Sequence, residues 1–179
     1  MANLQAGASF VISDLPGGGD FPAHRLRSMI LLALGSNLGA RETFLARARD
    51  GIEALPAEIL RASAIHETPA LLPEGAPREW DVPYLNQMLA VVTDTQPLEL
   101  LRALKALERA LGRVDRGRWG PREIDIDLLT YHDVAMDTPE LALPHPGLAE
   151  RRFVLAPLVE IVPEWRYPGE RRACREQRA

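Results

Sequence analysis

The sequence has a single cysteine, Cys174, a single lysine, Lys105, and only 6% aromatic residues. One cysteine excludes an internal disulfide and any multi-cysteine metal site. That fits a reducing compartment, and a cytoplasmic protein is expected. No apolar run approaches the ~18–20 residues of a membrane-spanning helix. The N-terminus lacks a basic n-region and holds only the short apolar segment Phe10–Ile12, so a signal peptide is not expected. The formal net charge of −4 argues against a general nucleic-acid or membrane-surface binder, which would carry a basic excess. The chain also lacks any G-x-x-x-x-G-K-[ST] stretch, so it is not a P-loop enzyme.

Other features are present in ordinary measure. A length of 179 residues, 46% hydrophobic and 26% charged, suits one globular domain with a proper core. Residues 1–28, with PGGGDFP at 16–22, show no sustained periodicity and are expected to form a flexible extension. The domain is expected to span 29–179. MILLALG (29–35) reads as a buried strand, followed by the turn GSNLG. Phe44, Leu45, Ala48, Ile52 and Leu55 recur at helical spacing. EILRASAIHET (58–68) reads as a second strand, and NQMLAVVTD (86–94) as a third. Between them, residues 69–83 form a long proline-rich loop, of the kind that tends to be functional. Pro97 opens a second helix with a buried stripe of Leu100, Leu104, Leu107 and Leu111, stopped by Gly112. The order β-α-β-β-α-β predicts an α+β, ferredoxin-like domain: an antiparallel sheet with both helices on one face, and further elements appended at the C-terminus.

The fourth strand carries the chemistry. In GRWGPREIDIDLLTY (117–131), Asp125 and Asp127 are two residues apart and share one face. Ile124, Ile126 and Leu128 point the other way. Two like charges so close repel unless a cation sits between them. Magnesium suits such a pair, because it takes one or two carboxylates and fills its shell with water and phosphate oxygens. In isolation a D-x-D triplet is more often a solvated sheet face. Here Arg113, Arg116, Arg118 and Arg122 precede it in a glycine-containing loop, and arginines beside carboxylates suit the neutralisation of phosphate charge. Trp119 in that loop has the character of a lid or stacking platform. Tyr84 and Asn86 pair an aromatic face with an amide that can both donate and accept. His145 lies between prolines that restrain its backbone. These residues leave two rivals to metal-assisted phosphoryl transfer. One is a metal-dependent nucleotidyltransferase or nuclease; the other is a non-catalytic RNA- or ligand-binding module, disfavoured because the central strands offer no stacking aromatics.

RWGPREIDIDLL (118–129), with LGSNLG (34–39), ETP (67–69), YLN (84–86), ERALGR (108–113), PH (144–145) and RRF (151–153), resembles in order and spacing the family of 6-hydroxymethyl-7,8-dihydropterin pyrophosphokinases. The resemblance covers about Met29 to Trp165. It implies transfer of diphosphate from ATP to the hydroxymethyl group of the pterin in folate biosynthesis, releasing AMP. It further implies that Asp125 and Asp127 hold Mg²⁺, two ions in all, and that Arg113, Arg122 and Arg118 stabilise the transition state. Glu108, Leu128, His145 and Arg151, with Arg113 and Arg122, match nucleotide-contacting positions. Tyr84 and Phe153 would sandwich the pterin ring, Asn86 would bond its edge, and Asn37, Thr68, Pro69, Leu71 and Trp119 would complete that pocket. The expected partners are these small molecules alone, with no nucleic acid and no membrane, and the expected state is a monomer. The sequence departs from the family pattern at Asp115, Glu140, Ala142 and Pro146. Arg116 is the candidate to supply the basic loop group that Asp115 does not.

Overall fold

The computed structural model describes residues 29–148 and 152–163. The expectations for residues 1–28, for Arg151 and for the C-terminal segment from 164 onward lie outside the described residues. MILLALG forms β1 (Ile30–Ser36), nearly all of it buried. Helix α1 (Arg41–Glu53) turns Leu45, Ala48 and Ile52 inward, as their spacing requires. Strands β2 (Glu58–Ala62) and β3 (His66–Thr68) follow, then a 3-10 turn at Arg78–Trp80 and strand β4 (Tyr84–Val92). Helix α2 (Pro97–Ala110) has Pro97 in its first turn. Strand β5 (Asp125–Tyr131), a small hairpin of β6 (Met136–Asp137) and β7 (Ala142–Leu143), and helix α3 (Arg152–Ile161) complete the order.

The sheet runs β2-β4-β1-β5, with β3 also pairing β4, and every pairing is antiparallel. With α1 and α2 on one face, this is the ferredoxin-like α+β arrangement that the element order predicts. The expected single strand over 58–68 is instead broken into β2 and β3. The register slips by one residue between Ile59 and Arg61, and again between Ala62 paired with Leu89 and His66 paired with Asn86. Ser63 occupies the break: its Oγ accepts from the Met88 N–H at 3.0 Å, so a side chain substitutes for part of the ladder. The leucine stripe of α2 also needs correction. Leu100, Leu104 and Leu111 are buried, but Leu107 is only partly so, against Gly51 of α1, while Glu108 is buried at 2% exposure.

Two apolar clusters flank the sheet. The α1/α2 side holds Ile30, Leu32, Leu34, Leu89, Val91, Ile126 and Leu128. The opposite side holds Leu31, Met88, Ala90 and Leu129 under Leu148, Val154, Leu158 and Ile161. Covering this second face is the work of α3, whose role the element order does not reveal. Its C-terminal turn is tied down by Arg61, which donates to the Ile161 carbonyl at 2.8 Å, and by Glu160, which bonds His66 Nε2 at 2.6 Å. Among the described residues no helix is long and apolar enough to cross a membrane.

Candidate active site

The α3-side face of the sheet is not covered along its whole length. Beyond α3, three neighbouring strands present Asn86, Gly35 and Asp125 in one register row, and Ala33 lies opposite Asp127 in the next. The central strand thus carries only Gly35 between Asn86 and Asp125, and only Ala33 between Met88 and Asp127. These two small residues floor a cleft of about 280 Å³. A Cβ at Gly35 would sit 3.5 Å from both Asn86 Oδ1 and the Tyr84 ring, on the floor itself. Thr68, Pro69, Leu71, Leu72, Tyr84, Arg118, Trp119, Arg122, Asp127 and His145 complete its lining. Leu71 is 58% exposed at the mouth.

The cationic end is built by the termination of α2. Gly112 takes φ +98°, a left-handed conformation that favours glycine. Arg113 N then bonds the Glu108 carbonyl, and Gly112 N that of Arg109, both at 3.0 Å, which is a Schellman closure. The chain reverses, and the Arg113 guanidinium reaches back to Glu108 Oε2 at 2.6 Å and Asp125 Oδ1 at 2.5 Å. Arg122 donates to the other Asp125 oxygen. Its backbone is held by Asn37, whose Oδ1 accepts from Arg122 N at 2.7 Å while its Nδ2 donates to the Val82 carbonyl at 3.1 Å. Asn37 therefore ties the arginine loop to the proline-rich loop from a position 2% exposed. Arg41 adds a second tie, donating to the Pro83 carbonyl and pairing with Glu67, each at 2.8 Å. Arg118 lies 5.2 Å from the centre of the Trp119 ring, and its carbonyl accepts from Arg122.

Glu108 and Lys105 serve the free edge of β5. Glu108 Oε1 accepts from the Ile126 N–H at 2.6 Å, and Lys105 Nζ donates to the Ile126 carbonyl at 2.9 Å. Side chains of α2 thus satisfy the backbone groups that a further strand would have paired. Burial pushes the Glu108 carboxyl up, opposed by Lys105 and by the Ile126 N–H. Asp125 is desolvated too, yet Lys105, Arg122 and Arg113 hold its carboxyl below the usual range. Asp127 goes the opposite way. Burial and the neighbouring Asp125 charge raise it, against the pull of Lys105, His145 and Arg122. Burial also raises the Tyr84 phenol, which stays neutral and presents an aromatic surface. His145 Nδ1 accepts from the Gly147 N–H at 3.0 Å, which leaves the proton of a neutral ring on Nε2.

The structure brings most of the expected site residues to this cleft: Thr68, Pro69, Leu71, Tyr84, Asn86, Arg118, Trp119, Arg122, Asp125, Asp127 and His145 line it. Arg113, Glu108 and Asn37 stand behind, positioning them. Leu128 does not line it, because its side chain is 2% exposed in the core on the α1/α2 face. Arg151 lies outside the described residues. Phe153 falls at the start of α3. Arg116 is not a spare basic group. It is bound bidentately to Glu123, at 2.6 and 3.0 Å, and it closes the loop on itself through the carbonyls of Val114 and Pro121. Asp115 caps the same loop by accepting from Gly117 N–H at 2.9 Å, and Glu140 is taken up by Arg102. Pattern reading missed Ala33, Gly35 and Lys105. The alternation of small residues in LALGS was the available signal for the first two; for Lys105 only its being the sole lysine marked it.

The Arg116 clamp has a measurable consequence. Hydrogen bonding from Arg116, over the opposing effect of burial, lowers Glu123 to about 2. A depressed carboxylate contributes stability above its unfolded value, near 4.3, and that stability is lost as pH falls towards 2. In Arg116→Ala, an NMR titration of Glu123 is expected to return to roughly 4. A titration left near the wild-type value would show that Arg116 is not the cause.

Two carboxylates aimed into a cleft, one still pushed upward in pKa, are a hard-oxygen donor set suited to Mg²⁺. Among the described residues no third acidic, histidine or cysteine ligand joins them. Such a site fits an ion whose shell is completed by water and phosphate.

The family model described as 7,8-dihydro-6-hydroxymethylpterin-pyrophosphokinase matches residues 31–163. The 2-amino-4-hydroxy-6-hydroxymethyldihydropteridine pyrophosphokinase of Methylorubrum extorquens is 41% identical over 141 residues, 78% of this chain and 85% of that protein. The folate synthesis bifunctional protein of Chlamydia trachomatis serovar D is 39% identical over 149 residues, 82% of this chain and 33% of that protein. The chain thus spans about a third of the length of the chlamydial bifunctional proteins that it matches. Among solved structures, Plasmodium falciparum HPPK-DHPS superposes with a TM-score of 0.64 over 84% of this chain and 41% of that one. At 14% identity, that likeness shows the fold alone.

Proposed function

The chain belongs to the 7,8-dihydro-6-hydroxymethylpterin-pyrophosphokinase family, and on that premise we propose that it transfers diphosphate from ATP to 6-hydroxymethyl-7,8-dihydropterin in folate biosynthesis. The observation that carries this reading is the register row Asn86–Gly35–Asp125. It puts an amide and an aromatic ring at one end of a small-floored cleft and a carboxylate pair with arginines at the other. A flat heterocycle suits the first end and a triphosphate the second.

In this reading Tyr84 stacks on the pterin, with Phe153 its partner across the ring. Asn86, whose Nδ2 donates to Thr68 Oγ1 at 2.8 Å, keeps its carbonyl oxygen for the pterin edge. Asn37, Pro69, Leu71 and Trp119 complete that pocket. Asp125 and Asp127 would hold Mg²⁺, two ions by family likeness, which would neutralise and align the triphosphate. The pterin hydroxyl oxygen bonds to the β-phosphorus and gives up its proton to solvent, the bond from that phosphorus to the α,β-bridging oxygen breaks, and AMP leaves with the bridging oxygen. Arg122 and Arg113 meet the charge that develops on the phosphate oxygens, and Arg118 joins them from the Trp119 loop. Glu108, His145 and Arg151 serve the nucleotide, Glu108 by fixing Arg113. Leu128 contributes through its place in the strand, its side chain being in the core. The enzyme acts on small molecules as a cytoplasmic monomer whose domain begins near Met29.

The test is a product assay with Mg²⁺, ATP and the pterin, resolving the nucleotides. Pterin-dependent AMP without ADP is the expected result. Folded protein that binds ATP tightly but releases no AMP would overturn the pterin assignment. Pyrophosphate release from nucleotides without pterin would favour a nucleotidyltransferase.

A further inference from the structure

The only lysine of the chain sits at the junction of the carboxylates and the β5 edge. Lys105 Nζ is 2.7 Å from Glu108 Oε1 and 2.9 Å from the Ile126 carbonyl. It is 3.7 Å from Asp125 Oδ1 and also 3.7 Å from Asp127 Oδ1. The two shorter contacts hold the ammonium beside both aspartates. Arg113 and Arg122 are both engaged with Asp125. The remaining charge facing Asp127 comes from Lys105, with His145 and Arg122 further contributors.

We infer that Lys105 is a positioning residue that acts as a resident counter-charge: it holds Asp125 and Asp127 together in the nucleotide-free protein and weakens their hold on a divalent cation until nucleotide phosphates join them. This rests on the proposed role of the two aspartates as magnesium ligands. The physical reason is plain. A fixed unit charge about 5 Å from a bound divalent ion repels it enough to weaken binding about tenfold, even with water-like screening. The triphosphate brings negative charge that offsets the ammonium. The site would then discriminate against free metal and accept it with nucleotide.

The experiment is a Mn²⁺ titration of the nucleotide-free full chain, comparing wild type with Lys105→Gln, Lys105→Arg and Asp127→Asn. Glutamine can still donate to the Ile126 carbonyl but carries no charge. Lys105→Gln is expected to bind Mn²⁺ about tenfold more tightly than wild type, or to gain binding where wild type shows none. Lys105→Arg, which keeps the charge, is expected to stay within about threefold of wild type. Unchanged or weaker Mn²⁺ binding in Lys105→Gln would overturn the inference and leave Lys105 a tether of α2 to β5. If Asp127→Asn bound Mn²⁺ as well as its parent in both the wild-type and Lys105→Gln backgrounds, the metal assignment itself would fall, and this inference with it. Thermal melts in metal-free buffer report folding of every variant. There Lys105→Gln is expected to melt below Lys105→Arg, because only the former leaves the carboxylates without their counter-charge.

Discussion

Asp127→Asn is expected to lower kcat for pterin-dependent AMP release by at least ~10³-fold, while leaving the melting temperature unchanged or slightly raised. Asparagine keeps the shape but loses the charge that would hold a cation against the triphosphate. The stability half of the prediction follows from the direction of the Asp127 shift. Burial and Asp125 raise this carboxyl above its ordinary 3.8. A raised carboxyl means that the folded state disfavours the ionised form. Its contribution to stability therefore falls as pH rises through the unfolded value, and at neutral pH the charge works against folding. Removing it relieves repulsion, as is common for groups kept for function rather than stability. Steady-state kinetics and a thermal melt check both halves. Wild-type turnover would remove Asp127 from the chemistry, and a melting point lowered as far as by a core cavity would make its role structural.

Glu108→Ala is expected to show the reverse profile, with a stability loss of ~1–3 kcal/mol, the usual cost of leaving a buried donor without its acceptor, so the loss lies in the hydrogen bond rather than in the charge. Its carboxylate, 3% exposed, accepts from the Ile126 N–H and pairs with Lys105 and Arg113. Deletion leaves the buried Ile126 N–H without its acceptor and takes one partner each from Lys105 and Arg113, which keep the Ile126 carbonyl and Asp125 respectively. In a domain of this size the melting temperature should fall by roughly 5 °C, and kcat should fall too, since Arg113 loses one of its two anchors. Glu108→Gln keeps an oxygen for the Ile126 N–H and should lose less than half as much. Urea unfolding of the three proteins settles the comparison; a Glu108→Ala loss under ~1 kcal/mol would show that water replaces the carboxylate without penalty.

Much of this architecture is legible in the residue order. The 3.6-residue recurrence of Leu45, Ala48 and Ile52, and the apolar run of β1, each permit one regular structure, and short connections leave few ways to join them. Asp125 and Asp127 were legible as a pair because strand geometry alone puts i and i+2 on one face. The break at Ser63 was not legible. It depends on a serine hydroxyl finding Met88 N–H across the sheet, and local spacing carries no record of that bond. Arg116 misled for a related reason. As a loop arginine beside a carboxylate strand it looked available for phosphate, but the fold gives it Glu123 first.

Sequence by itself determined the β-α-β-β-α-β order of the core, the ferredoxin-like plan, the shared face of the two aspartates and the family likeness, because each rests on local periodicity or on ordered motifs. Only the tertiary structure decided that Gly35 and Ala33 floor a cleft between Asn86 and Asp125. It also decided that Leu128 faces the core, and that α2 lends Glu108 and Lys105 to the edge of β5. Those facts depend on register between strands and on the crossing of a helix over a sheet edge. They join residues far apart along the chain, where spacing carries no information and only packing and hydrogen-bond satisfaction select the partner.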